Sequence, residues 1–182
     1  MNHLAMAELE MGLAEVTQSP QDNGRLDMIV TRPSEDERQV LVTAELTTAD
    51  GLVGDTWRVR GSRHTADGGA HPDAQIALMN ARAAALFAQE RDRWPLAGDQ
   101  LYVDLDLSAE NLPAGQRVGV GTAVLEITAM PHTGCKKFAQ RFGKDAVIFA
   151  NSETGKRWRL RGIYARVVQD GRIQTGDDVR KI

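Results

Sequence analysis

Leu101-Tyr-Val-Asp-Leu-Asp-Leu107 alternates without a break. Leu101, Val103, Leu105 and Leu107 fall on one side, with Asp104 and Asp106 on the other, which is the period-two signature of a strand with one buried and one wet face. Outward from it, Arg25–Thr31 reads as a short strand ending before Pro33, and Gly12–Thr17 as another. Gln39–Leu46 is rich in β-branched residues and follows a polar connection at Ser34–Arg38. Arg117–Thr128 reads as one strand, Val118, Val120 and Val124 on one face and Leu125 and Ile127 on the other, with Gly119 and Gly121 marking a bend or a close backbone approach. Ile163–Val168, Asp170–Gly171 and Arg172–Ile173 carry the pattern of a hairpin with a two-residue turn. Gln75–Met79 is a short apolar run that periodicity assigns to neither strand nor helix, and Asn80 is suited to cap a helix over Ala81–Arg91. With 17 Gly and 6 Pro cutting the chain into short pieces, these segments predict a mostly β domain decorated by a few short helices.

The bulk numbers agree with one domain spanning 1–182. A chain of 182 residues buries one good core and is short for two. Hydrophobic residues make up 42% and charged residues 26%, as in ordinary globular proteins. A net charge of −3, from 22 Lys and Arg against 25 Asp and Glu, argues against a general nucleic-acid binder. No apolar run approaches the roughly 18–20 residues of a membrane span. Met1–Gly12, with Glu8 and Glu10, lacks the basic start and apolar stretch of a secretion signal. The single cysteine forms no internal disulfide, which fits a reducing compartment, and the expectation is a cytoplasmic protein.

That cysteine lies in Pro131-His-Thr-Gly-Cys-Lys-Lys-Phe-Ala-Gln-Arg-Phe-Gly143. Gly143 is suited to end a short helix and Thr133 to cap it, which puts Cys135 in the first turn and on one face with Phe138, Ala139 and Phe142. Unpaired N–H groups at the helix start, the charges of Lys136 and Lys137, and His132 as a proton partner would each favour the thiolate, a nucleophile and soft metal ligand. Against this stands the commoner role of a lone cysteine as a small buried hydrophobe.

In order along the chain, Gly51-Leu-Val-Gly-Asp55, Gly115–Thr128, the Cys135 segment, and Arg161-Gly-Ile-Tyr-Ala-Arg-Val167 running to Gly176–Val179 resemble the MOSC domain. This is the C-terminal domain of molybdenum cofactor sulfurases, a pyridoxal-phosphate-associated family, and also a stand-alone bacterial protein. The resemblance implies a β-barrel with a shallow pocket around the cysteine. It implies binding of the molybdenum cofactor, carriage of sulfur as a cysteine persulfide, or ligation of molybdenum by Cys135 in reductase chemistry. Partners would be the pterin cofactor or a sulfur donor or acceptor protein. Two segments depart from the usual pattern: Asp67-Gly-Gly-Ala-His71 where many members carry His-Gly-Gly, and Gly98-Asp-Gln-Leu101 where many carry Glu-Asn. Glu110-Asn111-Leu112 looks like the latter but follows the strand.

Around the cysteine, Lys136, Lys137, Arg141 and Lys144 form one basic group, and Lys156, Arg157, Arg159 and Arg161 a second. If the fold brings them to one mouth, they would hold a pterin phosphate. Alternation over Arg157–Arg161 favours Arg159 and Arg161, and the plainer reading of each is a solvated face. His132 and Thr133 flank the thiol as candidate cofactor contacts. Asp55 reads first as a turn former and second as a ligand contact. His64 and His71, in the long loop Gly61–Asp73 with Asp67 and Asp73, lack the spacing of a zinc site and read as loop histidines. Trp57, Trp94 and Trp158 are expected at core or pocket edges. The competing functions are an adaptor that keeps the barrel without using the thiol, and a thiol hydrolase pairing Cys135 with His132, for which no third orienting group is evident.

Overall fold

The computed structural model describes residues 3–62 and 64–182. Met1 and Asn2 of the N-terminal stretch, and Arg63 of the long loop, lie outside the described residues. The order is α1 (Met6–Val16), β1 (Gly24–Thr31), β2 (Gln39–Leu41), β3 (Thr43–Thr47), β4 (Gly51–Leu52), α2 (Trp57–Arg60), β5 (Ile76–Asn80) and α3 (Ala81–Ala88). There follow β6 (Leu101–Asp104), β7 (Arg117–Val120), β8 (Ala123–Ile127), α4 (Lys136–Phe142), α5 (Lys144–Asn151), α6 (Glu153–Arg157), β9 (Ile163–Gln169), β10 (Gly171–Gln174) and β11 (Asp178–Lys181). Short 3-10 turns occupy Pro72–Ala74 and Arg91–Ala97. No helix among the described residues is long and apolar enough to cross a membrane.

Seven strands close a barrel in the order β11-β7-β8-β9-β5-β6-β1, and β1 returns to β11 through Gly24 opposite Val179. All neighbours are antiparallel except β5 and β6, which α3 and the second 3-10 turn connect. β2 extends the wall beside β1, while β10, β3 and β4 form a separate small sheet. Leu26, Ile29, Leu78, Leu101, Val103, Leu125 and Val179 fill the barrel. Met28, Val30, Met79 and Tyr102 point outward, under a helical layer of Leu9, Phe87, Phe138, Phe142 and Phe149. Leu26 and Ile29 both face inward despite odd spacing because the register with β6 shifts between Leu26 and Met28. On β5 and its neighbour β9, buried side-chain amides take two backbone N–H groups. Gln100 Oε1 accepts from Ala77 N–H at 2.7 Å, and Gln75 Oε1 accepts from Val167 N–H at 2.7 Å.

The mostly β barrel with short helices therefore stands, with several local corrections. Gly12–Thr17 is mostly the last turns of α1, not a strand. Leu9 and Val16 are buried at helical spacing, and a Cβ on Gly12 would collide with Leu86 of α3. Arg117–Thr128 is two strands. Gly121, at φ +55°, lets the turn pass over the Arg172 carbonyl, and the hairpin brings Val118, Val120, Leu125 and Ile127 to one interior. The Leu101–Leu107 alternation outlasts its strand, and its second face is mostly covered: Tyr102 is fully buried, Asp106 is buried accepting from Ser108 N–H, and the half-buried Asp104 pairs with Arg82 at 2.8 Å. β9 and β10 lie where expected but do not pair as a hairpin; β10 runs beside β3. The helix after Asn80 stops at Ala88, and Gln89 takes a left-handed φ of 64°.

Asn80 is β5's last residue and α3's cap. Its Oδ1 accepts from Ala83 N–H at 2.9 Å, while Nδ2 donates to Ser19 Oγ and the Leu105 carbonyl, both at 2.8 Å. Asn80→Ala strips a helix cap and leaves buried groups unpaired, so it should lower unfolding free energy by about 2–4 kcal/mol in a denaturant titration. Val59→Ala, at a position 82% exposed, should change it by less than about 0.5 kcal/mol.

Candidate functional site

β8 gives way at Ile127 to an irregular segment that reaches α4 at Lys136. Its start is fixed by Thr128, whose Oγ1 donates to the Asp73 carbonyl at 2.6 Å and whose N–H donates to Tyr164 at 2.9 Å. Its end is fixed by α4, where Phe138 and Phe142 are buried and Phe138 meets Phe87 edge-on at 5.3 Å. Cys135 itself, not Thr133, is the residue before the first helical turn, in extended conformation at φ −116°, ψ 179°, with no side-chain cap bond. That extended backbone takes it off the buried face it was expected to share with Phe138 and Phe142. Cys135 is exposed.

The thiol lies on the wall of a cavity of about 430 Å³, together with Arg32, Arg38, Arg60, Lys137, Arg141 and Arg161. Trp57, His64, His71, His132, Thr133 and Tyr164 complete much of its lining. The cations fall into three groups. Arg32 and Arg161 are buried and neutralised from behind. Asp55 takes Arg32 in a two-point pair at 2.8 Å on each arm and also accepts from the N–H groups of Arg32 and Trp57. Asp99 takes Arg161 at 2.6 Å, and the other Arg161 arm donates to the Ala97 carbonyl at 2.8 Å. Burial pushes the Asp99 carboxyl above its ordinary range, and Arg161 only partly opposes it. Arg161 is raised: burial opposes its charge, and the Asp99 charge and hydrogen bond outweigh burial.

At the rim, Lys137 and Arg141 share the exposed Asp36 carboxylate at 3.2 and 3.3 Å. Arg38 and Arg60 form no ion pair among the described residues. Arg38 donates to the Glu37 carbonyl at 2.6 Å, while its buried Nε has no partner. Lost solvation, then the charges of Arg141 and Arg32, lowers Arg38 from the usual guanidinium range. Arg60 is exposed at the mouth, yet lost solvation and the Arg32 charge lower it too. A bound anion would relieve both.

His132 stacks on Tyr164 with ring centroids 4.2 Å apart, its Nδ1 3.5 Å from Asp99 Oδ1, too far for a good hydrogen bond. Burial, then Arg161 and Arg32, hold it well below the usual histidine range, so it is neutral at pH 7. The Arg161-Gly162 pair now has a physical reason. Gly162 sits at φ +102°, and a Cβ there would collide with the Leu78 carbonyl and press on Asp99 and His132.

Of the expected site residues, the cavity brings together Cys135, His132, Thr133, Lys137 and Arg161. Asp55 is the buried partner of Arg32 behind the wall. Lys136 is exposed and lines neither this cavity nor its neighbour. Arg159 lines a second cavity of about 500 Å³, together with Met130–Thr133 and Lys156. The expected alternation over Arg157–Arg161 fails because Arg157 ends α6 and Arg159 takes a left-handed φ of 47°. Arg159 instead donates to the Leu112 carbonyl at 2.6 Å. Arg157 pairs with Glu110. His64 and His71 are loop residues, no metal-binding cluster forms among the described residues, and His71 Nδ1 accepts from Asp73 N–H. No hydrogen bond joins Cys135 to His132. Arg32, Arg38, Arg60, Asp99 and Tyr164 were not among the expected site residues; the Arg32-Pro33 step just after β1 and the Gly98-Asp99 step were the available signals.

A closed seven-stranded barrel capped by short helices defines the fold class. Residues 66–180 match the sequence model of the MOSC domain, and the chain belongs to this molybdenum-cofactor-related family. Its fold is similar to that of the YuaD protein of Bacillus subtilis, with TM-score 0.66, 17% identity, 87% of this chain and 95% of that chain covered. It also resembles YiiM from Escherichia coli (TM-score 0.54, 19% identity, covering 87% and 69%) and YiiM from Geobacillus stearothermophilus (0.55, 16%, 87% and 75%). No match was found among curated proteins.

Because the unfolded chain takes up a proton on His132 near pH 6.5 that the folded protein refuses, this residue removes stability as pH falls through about 6.5. Between about pH 7.5 and about 5.5, wild type should lose about 1 kcal/mol more than His132→Phe in denaturant titrations. Equal losses would show that His132 is not held neutral.

Proposed function

We propose that this chain binds an anionic, phosphate-bearing pterin of the molybdenum-cofactor class in the Cys135 cavity and uses the Cys135 sulfur for its chemistry. The observation that carries this reading is the exposed thiol on one cavity wall with Arg38 and Arg60, two cations that form no ion pair among the described residues. The donor set fits such a group: the unpartnered Arg38 Nε and the unpaired Arg60 guanidinium suit a phosphate, and the thiolate suits a soft metal. When bound, the cofactor would supply a thiophilic molybdenum centre capable of atom transfer. Arg38 and Arg60 would hold the phosphate, with Arg32 and Arg161 kept rigid behind it by Asp55 and Asp99. Trp57, Tyr164 and the neutral His132 would give flat walls to the pterin.

As a sulfur carrier, the Cys135 thiolate attacks the outer sulfur of a donor protein's cysteine persulfide. A new S–S bond forms on Cys135 while the donor's S–S bond breaks and the donor leaves as a thiolate, so no outside oxidant is needed. An acceptor thiolate takes the same sulfur in the reverse sense.

Treatment with a persulfide donor should add about 32 Da to Cys135 by mass spectrometry and nothing to Cys135→Ser. Protein isolated from cells making the cofactor should release a fluorescent pterin, and Arg38→Ala with Arg60→Ala should reduce its occupancy about ten-fold. Absence of both added sulfur and pterin from well-folded protein would leave an adaptor that does not use its thiol.

A further inference from the structure

Between β8 and α4 the chain has no ladder of its own, yet the sulfur has to be held among the arginines for the reading above to work. Downstream, Phe138 fixes α4 against Phe87, and Arg161 lies over the Phe138 ring at 5.1 Å. Upstream, one side chain grips the backbone immediately before the cysteine. Asn151 Oδ1 accepts from Gly134 N–H at 2.8 Å, and Asn151 Nδ2 donates to the Gly134 carbonyl at 3.0 Å. A side-chain amide thus pairs with both backbone groups of one residue, as a neighbouring strand would.

Asn151 is the last residue of α5, a helix whose Ala146, Phe149 and Ala150 are buried in the outer core, so the amide stands on a rigid base. Gly134 is required by the closeness of this contact. A Cβ there would come within 2.8 Å of Val147 Cγ2 and within 3.4 Å of both Asn151 amide heteroatoms. The second cavity, about 500 Å³, is lined by Asn151, Met130–Thr133 and Arg161 among others, but not by Cys135. The segment therefore has open space to move into, and the two Asn151 hydrogen bonds oppose that movement.

We propose that Asn151 is a positioning residue: by holding both backbone groups of Gly134 it keeps the Cys135 sulfur in the cationic cavity rather than letting the segment slip back. The proposal rests on the reading of Cys135 as the reacting thiol, and the test separates the two. The probes are iodoacetate, an anion, and iodoacetamide, its neutral analogue. In wild type the arginines should favour the anion, giving an alkylation-rate ratio about ten-fold above that of a free cysteine. Asn151→Ala should bring the ratio down at least about five-fold, and Gly134→Ala, acting from the other side of the contact, should do the same. Ser152→Ala removes the neighbouring cap bond to Gly155 without touching Gly134, and should lower stability while leaving the ratio at the wild-type value.

A wild-type ratio equal to that of a free cysteine would overturn the cavity reading and the proposal with it. A raised wild-type ratio that Asn151→Ala retains would overturn the positioning role alone. Should the alanine variants not fold, hydrogen exchange in wild type decides: the Gly134 amide should be protected at least about 100-fold, and unprotected exchange would overturn the clamp.

Discussion

The buried pair between Arg161 and Asp99 is where the parts of the cavity meet. One arm of Arg161 takes Asp99 at 2.6 Å, the other reaches the Ala97 carbonyl, and its face lies over Phe138 of α4. Three stretches far apart in sequence, the approach to β6, the approach to β9 and the helix after the cysteine, are thereby locked around one guanidinium. Removing one partner of such a pair typically costs about 3–5 kcal/mol because the other charge is left alone in a dry site. Gly162 follows directly, since any side chain there would press on Asp99 and His132.

The electrostatics follow from the same economy of placement. A chain with a net charge of −3 nonetheless builds a cationic wall, because its nearest carboxylates stand behind or at the edge of it. Asp55 and Asp99 neutralise Arg32 and Arg161 from inside the protein and leave the cavity face to Arg38 and Arg60. Asp36 competes for Lys137 and Arg141 only at the rim, where it is 60% exposed and water screens it. Arg38 and Arg60 form no ion pair among the described residues, and under the proposed function they would be the anion's contacts.

Much of the architecture was legible in the sequence. Period-two alternation marked β6, short strand-like runs marked β1 and the β7–β8 region, and Asn80 marked the start of α3. The errors have separate causes, the first being that periodicity reports which face is apolar, not what covers it. Tyr102 is buried because a helical layer lies over β6, and nothing in Leu101–Leu107 announces that layer. The β7–β8 turn was hidden because two adjoining strands with matching patterns read as one. β10 left its expected partner because pairing across a sheet is a long-range choice. At the site, Cys135, His132, Thr133, Lys137 and Arg161 were legible from their neighbours in sequence and from family likeness. Arg32, Arg38 and Arg60 were not, since single arginines on three separate segments carry no local pattern. The Gly98-Asp99-Gln100 step, a departure from the common family motif, supplies the buried partner of Arg161 and a side-chain acceptor for the Ala77 N–H.

One exposed sulfur opens into a cavity lined by cations. A crystal structure of the protein soaked with tungstate, an electron-dense oxyanion, tests most directly whether that cavity receives an anion. An anomalous peak is expected within hydrogen-bonding reach of Arg38 and Arg60, in the cavity whose wall carries Cys135. Tungstate bound elsewhere with this cavity closed, or a sulfur sealed beneath Phe138, would contradict that expectation.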